Sequence, residues 1–239
     1  ASRPTRDIDL LGRLNNSVDA ILPVIRDVCQ QAVEPDGLVF DVDSLVGQVI
    51  KEDADYSGVR MTFHAYLENS RIPMQIDIGF GDVIVPEAAF TDYPVLLELA
   101  APRLRAYPRE TVVAEKFEAM VKLGQLNSRL KDFFDLWLLS RQLEFDGRIL
   151  ALAVTETFAN RKTAITPQPM ALTAAFANDP IKQTQWNGFL RKSRIDIAPQ
   201  DLPVVIDVIG SFLLPVAAAL SAGQDFSLLW HPPGPWQKG

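Results

Sequence analysis

Between Val59 and Ile78 the chain alternates with a period of two. Val59, Met61, Phe63, Ala65 and Leu67 are interleaved with Arg60, Thr62, His64 and Tyr66. After the turn-like Glu68-Asn69-Ser70, the apolar set Ile72, Met74, Ile76 and Ile78 is interleaved with Gln75 and Asp77. Strict alternation places one residue set on each side of an extended strand, so these residues predict a β-hairpin with one apolar and one polar face. The chain must therefore contain a sheet with one covered face. Asp77 falls on the polar face near the middle of its strand. His64 is a candidate neighbour, with the register left open.

The surrounding sequence completes an α+β reading. Asp7-Ile8-Asp9-Leu10 is a short alternating strand segment. Ser17 to Val33 spaces Val18, Ile21, Leu22, Ile25, Val28, Cys29 and Ala32 as one helix face, with Pro23 expected to kink it or mark its first turn. Asp36-Gly37 is a turn, followed by a strand from Leu38 to about Asp43. From Pro108 the pattern becomes helical. One helix is expected from Arg109 to Leu123, stopping at Gly124. A second, capped by Asn127 or Ser128, runs to about Gln142, and further helices are expected at 147–160, 171–190 and 200–222. The tail from His231 to Trp236 is too proline-rich for regular structure. This divides the chain into an α/β core at 1–107 and a helical region at 108–239.

Composition narrows the chemistry. Of 239 residues, 48% are hydrophobic and 22% charged, an ordinary globular balance. Lys and Arg total 23 against 30 Asp and Glu, a net charge of −7, which excludes a generic electrostatic nucleic-acid binder but not a local basic surface. The single Cys29 excludes an intrachain disulfide and a cysteine zinc site, and fits a reducing cytoplasm. With only His64 and His231 available, metal chemistry would fall to carboxylates. Arg3, Arg6, Asp7 and Asp9 are not the start of a signal peptide. Pro203 to Leu220 has the length of a membrane span, but Pro203, Asp207, Gly210 and Pro215 interrupt it, so a buried helix pair is expected.

Three constellations carry the chemistry. Asp7 and Asp9 are spaced so that a strand points both carboxylates to one face, where they can grip one hard cation. An exposed strand edge with two solvated charges is the plainer alternative. Asp77, flanked by Ile76 and Ile78, could bring a third carboxylate from a neighbouring strand; three converging carboxylates persist only with cations. Two Mg²⁺ ions held there would activate an attacking hydroxyl and hold a triphosphate for in-line displacement. The third constellation is helical: Glu115-Lys116, then Arg129-Leu130-Lys131-Asp132-Phe133-Phe134-Asp135. A local Lys131–Asp135 bridge is the plain reading of the i, i+4 spacing. From Ala101 to Lys131, seven basic residues stand against Glu110, Glu115 and Glu118, a local charge of +4 suited to polyphosphate, with or without nucleic acid.

These motifs, in the order Arg3-Pro-Thr5-Arg-Asp7-Ile-Asp9-Leu, Ile76-Asp77-Ile78, Tyr107 to Lys116, and Ser128 to Leu136, resemble those of the AbiEii/AbiGii-type nucleotidyltransferase toxins of bacterial type IV toxin–antitoxin systems. The resemblance spans about residues 3–136. It implies the polymerase β-like nucleotidyltransferase fold: a mixed β-sheet with flanking helices, followed by a helical C-terminal region. It assigns Asp7, Asp9 and Asp77 as metal carboxylates and catalytic residues. Lys116 becomes a nucleotide-phosphate contact and, with Asp135, part of the catalytic set. Arg3, Thr5, Arg129, Lys131 and Asp132 become nucleotide-binding residues. The implied cofactor is a pair of Mg²⁺ ions with an NTP substrate, GTP or a pyrimidine NTP. The implied partners are a tRNA 3′ end as acceptor and a cognate antitoxin, with no membrane. The family pattern also places a Gly-Ser or Gly-Gly helix before the first aspartate to cradle the triphosphate. Only six residues precede Asp7, so that element is absent from these 239 residues.

Three functions follow as expectations. The first is a cytoplasmic, metal-dependent transfer of a nucleotide to RNA. The second is transfer to a small cationic molecule of the antibiotic type, which the acidic net charge suits. The third is a non-catalytic module that binds a nucleotide or an antitoxin.

Overall fold

The structure, a computed structural model, describes residues 7–53, 56–95, 98 and 100–239. Its elements run β1 (Ile8–Gly12), α1 (Val18–Cys29), β2 (Leu38–Asp53), β3 (Tyr56–Leu67), β4 (Ser70–Phe80), β5 (Ala89–Asp92) and β6 (Arg103–Ala106). After these come α2 (Arg109–Leu123), α3 (Leu130–Gln142), β7 (Phe145–Asp146), α4 (Gly147–Asn160), α5 (Ala174–Ala177), α6 (Pro180–Ser193), α7 (Leu202–Ser221), β8 (Leu229–Trp230) and β9 (Trp236–Gln237). The chain folds as two units, Ala1–Asp82 and Val83–Gly239.

The first unit is a four-stranded mixed sheet in the order β1-β4-β3-β2. The predicted hairpin is β3–β4, antiparallel, and β1 joins its far side in parallel. Its apolar face is covered by α1: Ile21 and Ile25 pack with Leu45, Val59, Met61, Phe63, Ile76 and Ile78. Ser17 caps α1, its Oγ accepting from the Ala20 amide at 3.2 Å. The helix runs through Pro23 rather than starting there. The strand expected to end near Asp43 continues to Asp53. The reason is a register irregularity between Asp41 and Val46 that a pattern of polar residues disguises as a strand end. Ser44 Oγ holds the irregularity, donating to the Asp41 carbonyl at 2.7 Å and accepting from the His64 amide at 2.9 Å.

The second unit is helical around one large apolar core. Sequence patterning put the division near residue 107, whereas the contacts put it between Asp82 and Val83. Thr111 of α2 explains the earlier boundary: its Oγ1 accepts from the Val85 amide at 2.9 Å and donates to the Val85 carbonyl at 2.8 Å, tying the segment before the helices to α2. The helices α2, α3 and α4 follow their predicted spans, and Gly124 ends α2 at φ 48°. The pattern at 171–190 resolves into α5 and α6. Asp179 breaks it, its carboxylate accepting from the Ile181 amide at 2.8 Å to cap a helix that starts on Pro180.

The expected helix pair at 200–222 is one helix. α7 is long and apolar enough to cross a membrane by length and composition. Here Leu202, Val205, Ile206, Ile209, Phe212, Leu213, Val216 and Ala217 are buried in the core, and Pro215 does not end the helix. The proline-rich tail forms no helix or strand from His231 to Pro235, as its composition implies, and enters β9, paired with β8, only at Trp236. Two indoles anchor it: Trp236 Nε1 donates to the Phe212 carbonyl at 2.8 Å, and Trp230 Nε1 donates to the Ser140 carbonyl at 2.6 Å. Both rings pack against Phe212. The buried Trp230 ring and the carbonyl acceptors of both indoles hold this irregular segment in place.

Candidate functional site

The polar face of the sheet unit carries the first group. Asp9 of β1 pairs in register with Asp77 of β4, and Asp77 pairs in turn with Arg60 of β3 and Arg60 with Gln48 of β2. Residues in register share a face, so these four side chains form a row across all four strands. Asp7 precedes β1, and both it and Asp9 are exposed. Asp77 is half-buried beneath a fork. Arg60 Nε donates to its Oδ1 and Arg60 Nη2 to its Oδ2, both at 2.7 Å, and Gln75 Nε2 donates to Oδ2 at 3.1 Å. His64, the expected neighbour of Asp77, instead faces Pro73 and Asp41. Two residues, Glu68 and Asn69, turn between the paired Leu67 and Ser70, and that short turn sets a register bringing Arg60 opposite Asp77. Arg3 and Thr5 lie outside the described residues.

A divalent cation fits this face in donor chemistry, since carboxylate oxygens on adjacent strands are what Mg²⁺ prefers. Among the described residues no three His, Cys, Asp or Glu side chains stand close enough together to hold an ion. Arg60 and Gln75 take the Asp77 oxygens in this arrangement.

The helical unit builds the second group where α2 meets α3. Lys116 Nζ lies 2.8 Å from Asp132 Oδ1 and 2.8 Å from Asp135 Oδ2. Asp132 and Asp135 are one turn apart on α3, so one ammonium from α2 reaches both. Arg129 Nε stands 2.9 Å from Asp132 Oδ2, an ion-pair distance without hydrogen-bond alignment. The Asp132 side chain keeps 2% of its exposure, against 19% for Lys116 and 17% for Asp135. Burial alone would lower the Lys116 pKa. The charges of the two aspartates and the hydrogen bonds they accept outweigh it and hold the ammonium above the ordinary lysine value. Asp135 thus pairs across helices with Lys116, not locally with Lys131, which is exposed.

The N-terminus of α3 is fixed from below. Arg129 occupies the capping position, and Asn127, fully buried, accepts the Arg129 amide on its Oδ1 at 2.8 Å. Lys182 of α6, buried and lying over the Phe176 ring, donates its Nζ to the Asn127 carbonyl at 2.8 Å. On another side of α2, the buried Glu118 is bound by Arg161 Nη1 at 3.2 Å and by the hydroxyl of Thr163. Sequence patterning singled out none of Arg60, Glu118, Arg161, Thr163 or Lys182. Only Arg60 carried a signal, because a two-residue reading of the hairpin turn would have placed it opposite Asp77.

Comparison with known proteins gives the arrangement a lineage. The family model of the nucleotidyl transferase AbiEii toxin of type IV toxin–antitoxin systems matches residues 1–208. A candidate nucleotidyltransferase from H. pylori is similar in structure at a TM-score of 0.49 and 14% identity, over 92% of this chain and 82% of that one. The structure of JHP933 from Helicobacter pylori is similar at a TM-score of 0.41 and 16% identity, over 93% of this chain and 83% of that one. No curated protein matches. The family model covers most of the chain, including every motif described above, and the chain belongs to the AbiEii nucleotidyltransferase toxin family of type IV toxin–antitoxin systems.

Proposed function

We propose that this chain transfers a nucleotide from a Mg²⁺-bound NTP to RNA, with a tRNA 3′ end as the acceptor and GTP or a pyrimidine NTP as the donor. The observation that carries the reading is the in-register pair Asp9 and Asp77 on the open face of a mixed sheet, in a member of a nucleotidyltransferase toxin family. Asp7, Asp9 and Asp77 would hold divalent cations, which when bound supply charge neutralisation for the triphosphate and activation of the attacking hydroxyl. Asp77 would also accept the proton of that hydroxyl, once Arg60 and Gln75 yield one of its oxygens. The helical unit, taken by itself, offers Lys116 and Arg129 as positive charges suited to nucleotide phosphates, with Asp132 and Asp135 fixing the Lys116 ammonium and Lys131 adding an exposed charge. We extend the reading to a cytoplasmic setting and a cognate antitoxin, which the toxin–antitoxin description of the family supports.

The test incubates the protein with Mg²⁺, total bacterial RNA and each labelled NTP in turn, with Asp7→Ala/Asp9→Ala as control. Label on tRNA-sized RNA that disappears in the control supports the reading and names the nucleotide. NTP binding without label on RNA overturns the RNA acceptor. The net charge of −7 favours a second reading, transfer to a small cationic molecule. Acceptor binding that weakens steeply with salt separates RNA from that alternative.

A further inference from the structure

Resting on the reading of Asp7, Asp9 and Asp77 as cation ligands, we propose that Arg60 is a positioning residue that competes with the cation for Asp77 and so sets the metal affinity of the site. Asp9 and Asp77 are register partners on adjacent parallel strands, where backbones lie roughly 4.8 Å apart. Their carboxylates lie on one face of the sheet, where like charges repel and a positive charge offsets that repulsion. Arg60 supplies it from the opposite flank: its guanidinium grips both Asp77 oxygens at 2.7 Å, the bidentate geometry in which arginine binds carboxylate most strongly.

The same grip has a cost for metal binding. An oxygen already bound by a guanidinium N–H gives up part of that interaction to become a cation ligand, and Gln75 adds a further donor to Oδ2 at 3.1 Å. Arg60 and Asp77 are both partly accessible, with side-chain exposures of 33% and 14%, so the pair is open to rearrangement without unfolding the sheet. Arg60 lies on β3, beyond Asp77 from Asp9, so it can turn the carboxylate without entering the space on the Asp9 side. Arginine does not titrate in the physiological range, so this competition is set by geometry and not by pH. The outcome is a site that stays folded without metal and takes a cation at the expense of one ion pair.

The experiment measures Mn²⁺ binding to the full chain by electron paramagnetic resonance of the free ion, without nucleotide or RNA. Wild type is compared with Arg60→Gln, Asp9→Asn, Asp77→Asn and the double variant Arg60→Gln/Asp77→Asn, which is read against Asp77→Asn, each checked for folding by urea unfolding. Arg60→Gln is expected to bind Mn²⁺ about tenfold more tightly, the size of a coupling between contacting residues, and the gain is expected to vanish in the double variant. Arg60→Gln binding no more tightly than wild type, while Asp9→Asn weakens binding, overturns the role of Arg60 and leaves the metal site standing. A gain that survives Asp77→Asn overturns it as well, because the effect then does not pass through Asp77. Absence of Mn²⁺ binding in every variant overturns both the metal site and this proposal. Should Arg60→Gln fail to fold, Arg60→Lys keeps the charge without the fork and is expected to tighten binding about threefold; unchanged affinity there counts against the proposal.

Discussion

On the sheet, Asp7 and Asp9 are exposed, and Asp77 is half-buried with both its oxygens held by the Arg60 guanidinium. Between α2 and α3, Lys116 and Arg129 stand against Asp132 and Asp135, and the Asp132 side chain is almost wholly enclosed. The first arrangement keeps two of its carboxylates open to solvent. The second is balanced within itself, and its burial makes every member depend on the others. One set of aspartates faces solvent, and the other is enclosed where it also ties α2 to α3. Mutating the first should cost little stability, whereas mutating the second should cost stability together with any nucleotide contact it makes.

Breaking the buried set should have the largest effect on stability. Lys116→Met strands Asp132 and Asp135 beside each other in a desolvated site, and should cost about 3–5 kcal/mol in urea unfolding. Replacing the aspartates with apolar residues in the same background should recover much of that loss; no recovery would mean the charges are not what holds α2 to α3. The same lysine gives a pH signature. Its folded pKa is raised, so the stabilisation is fully present below the ordinary lysine value of 10.5 and is lost as pH rises past it through the higher folded value. The difference in stability between wild type and Lys116→Met should be flat from neutral pH to about 9 and shrink above 10.5. A difference that already shrinks near pH 8 would contradict the assignment.

The sheet unit should respond more mildly. Asp77→Asn removes the charge that Arg60 binds but leaves a neutral acceptor, and should cost about 1–3 kcal/mol. The hairpin turn offers a smaller effect of opposite sign. Glu68 sits at φ 51°, a conformation glycine adopts without steric penalty, so Glu68→Gly should raise the unfolding midpoint by an amount equivalent to about 0.5–1 kcal/mol. A lower midpoint would show that the Glu68 side chain matters more than its backbone.

What was legible beforehand follows the same contrast. The alternation from Val59 to Ile78 predicted the hairpin and its faces because a sheet with one covered side imposes a period of two at every position. The helices α2, α3, α4 and α7 were legible because each buries a stripe long enough to show its own period. Arg60 went unread because the partner of Asp77 depends on register, a property of the turn and not of either strand. The enclosure of Asp132 went unread because the residues closing around it, Lys116 on α2 and Arg129 before α3, meet it only once two helices pack. Lys131 and Asp135 showed the other side of this limit: their spacing suggested a local bridge, yet a lysine sixteen positions before Asp132 reached the aspartates first. The proline run at 231–235 was legible as irregular backbone, whereas the pairing of Trp236 was not, because local propensity carries no information about two tryptophans that find carbonyls in a distant core.

The most direct measurement is Asp9→Asn, with nucleotide transfer and urea unfolding followed on the same preparation. An exposed edge-strand carboxylate that serves a ligand and not the fold predicts an unfolding free energy within about 0.5 kcal/mol of wild type, together with loss of label from RNA. A folded Asp9→Asn protein that still labels RNA at the wild-type level would contradict the account.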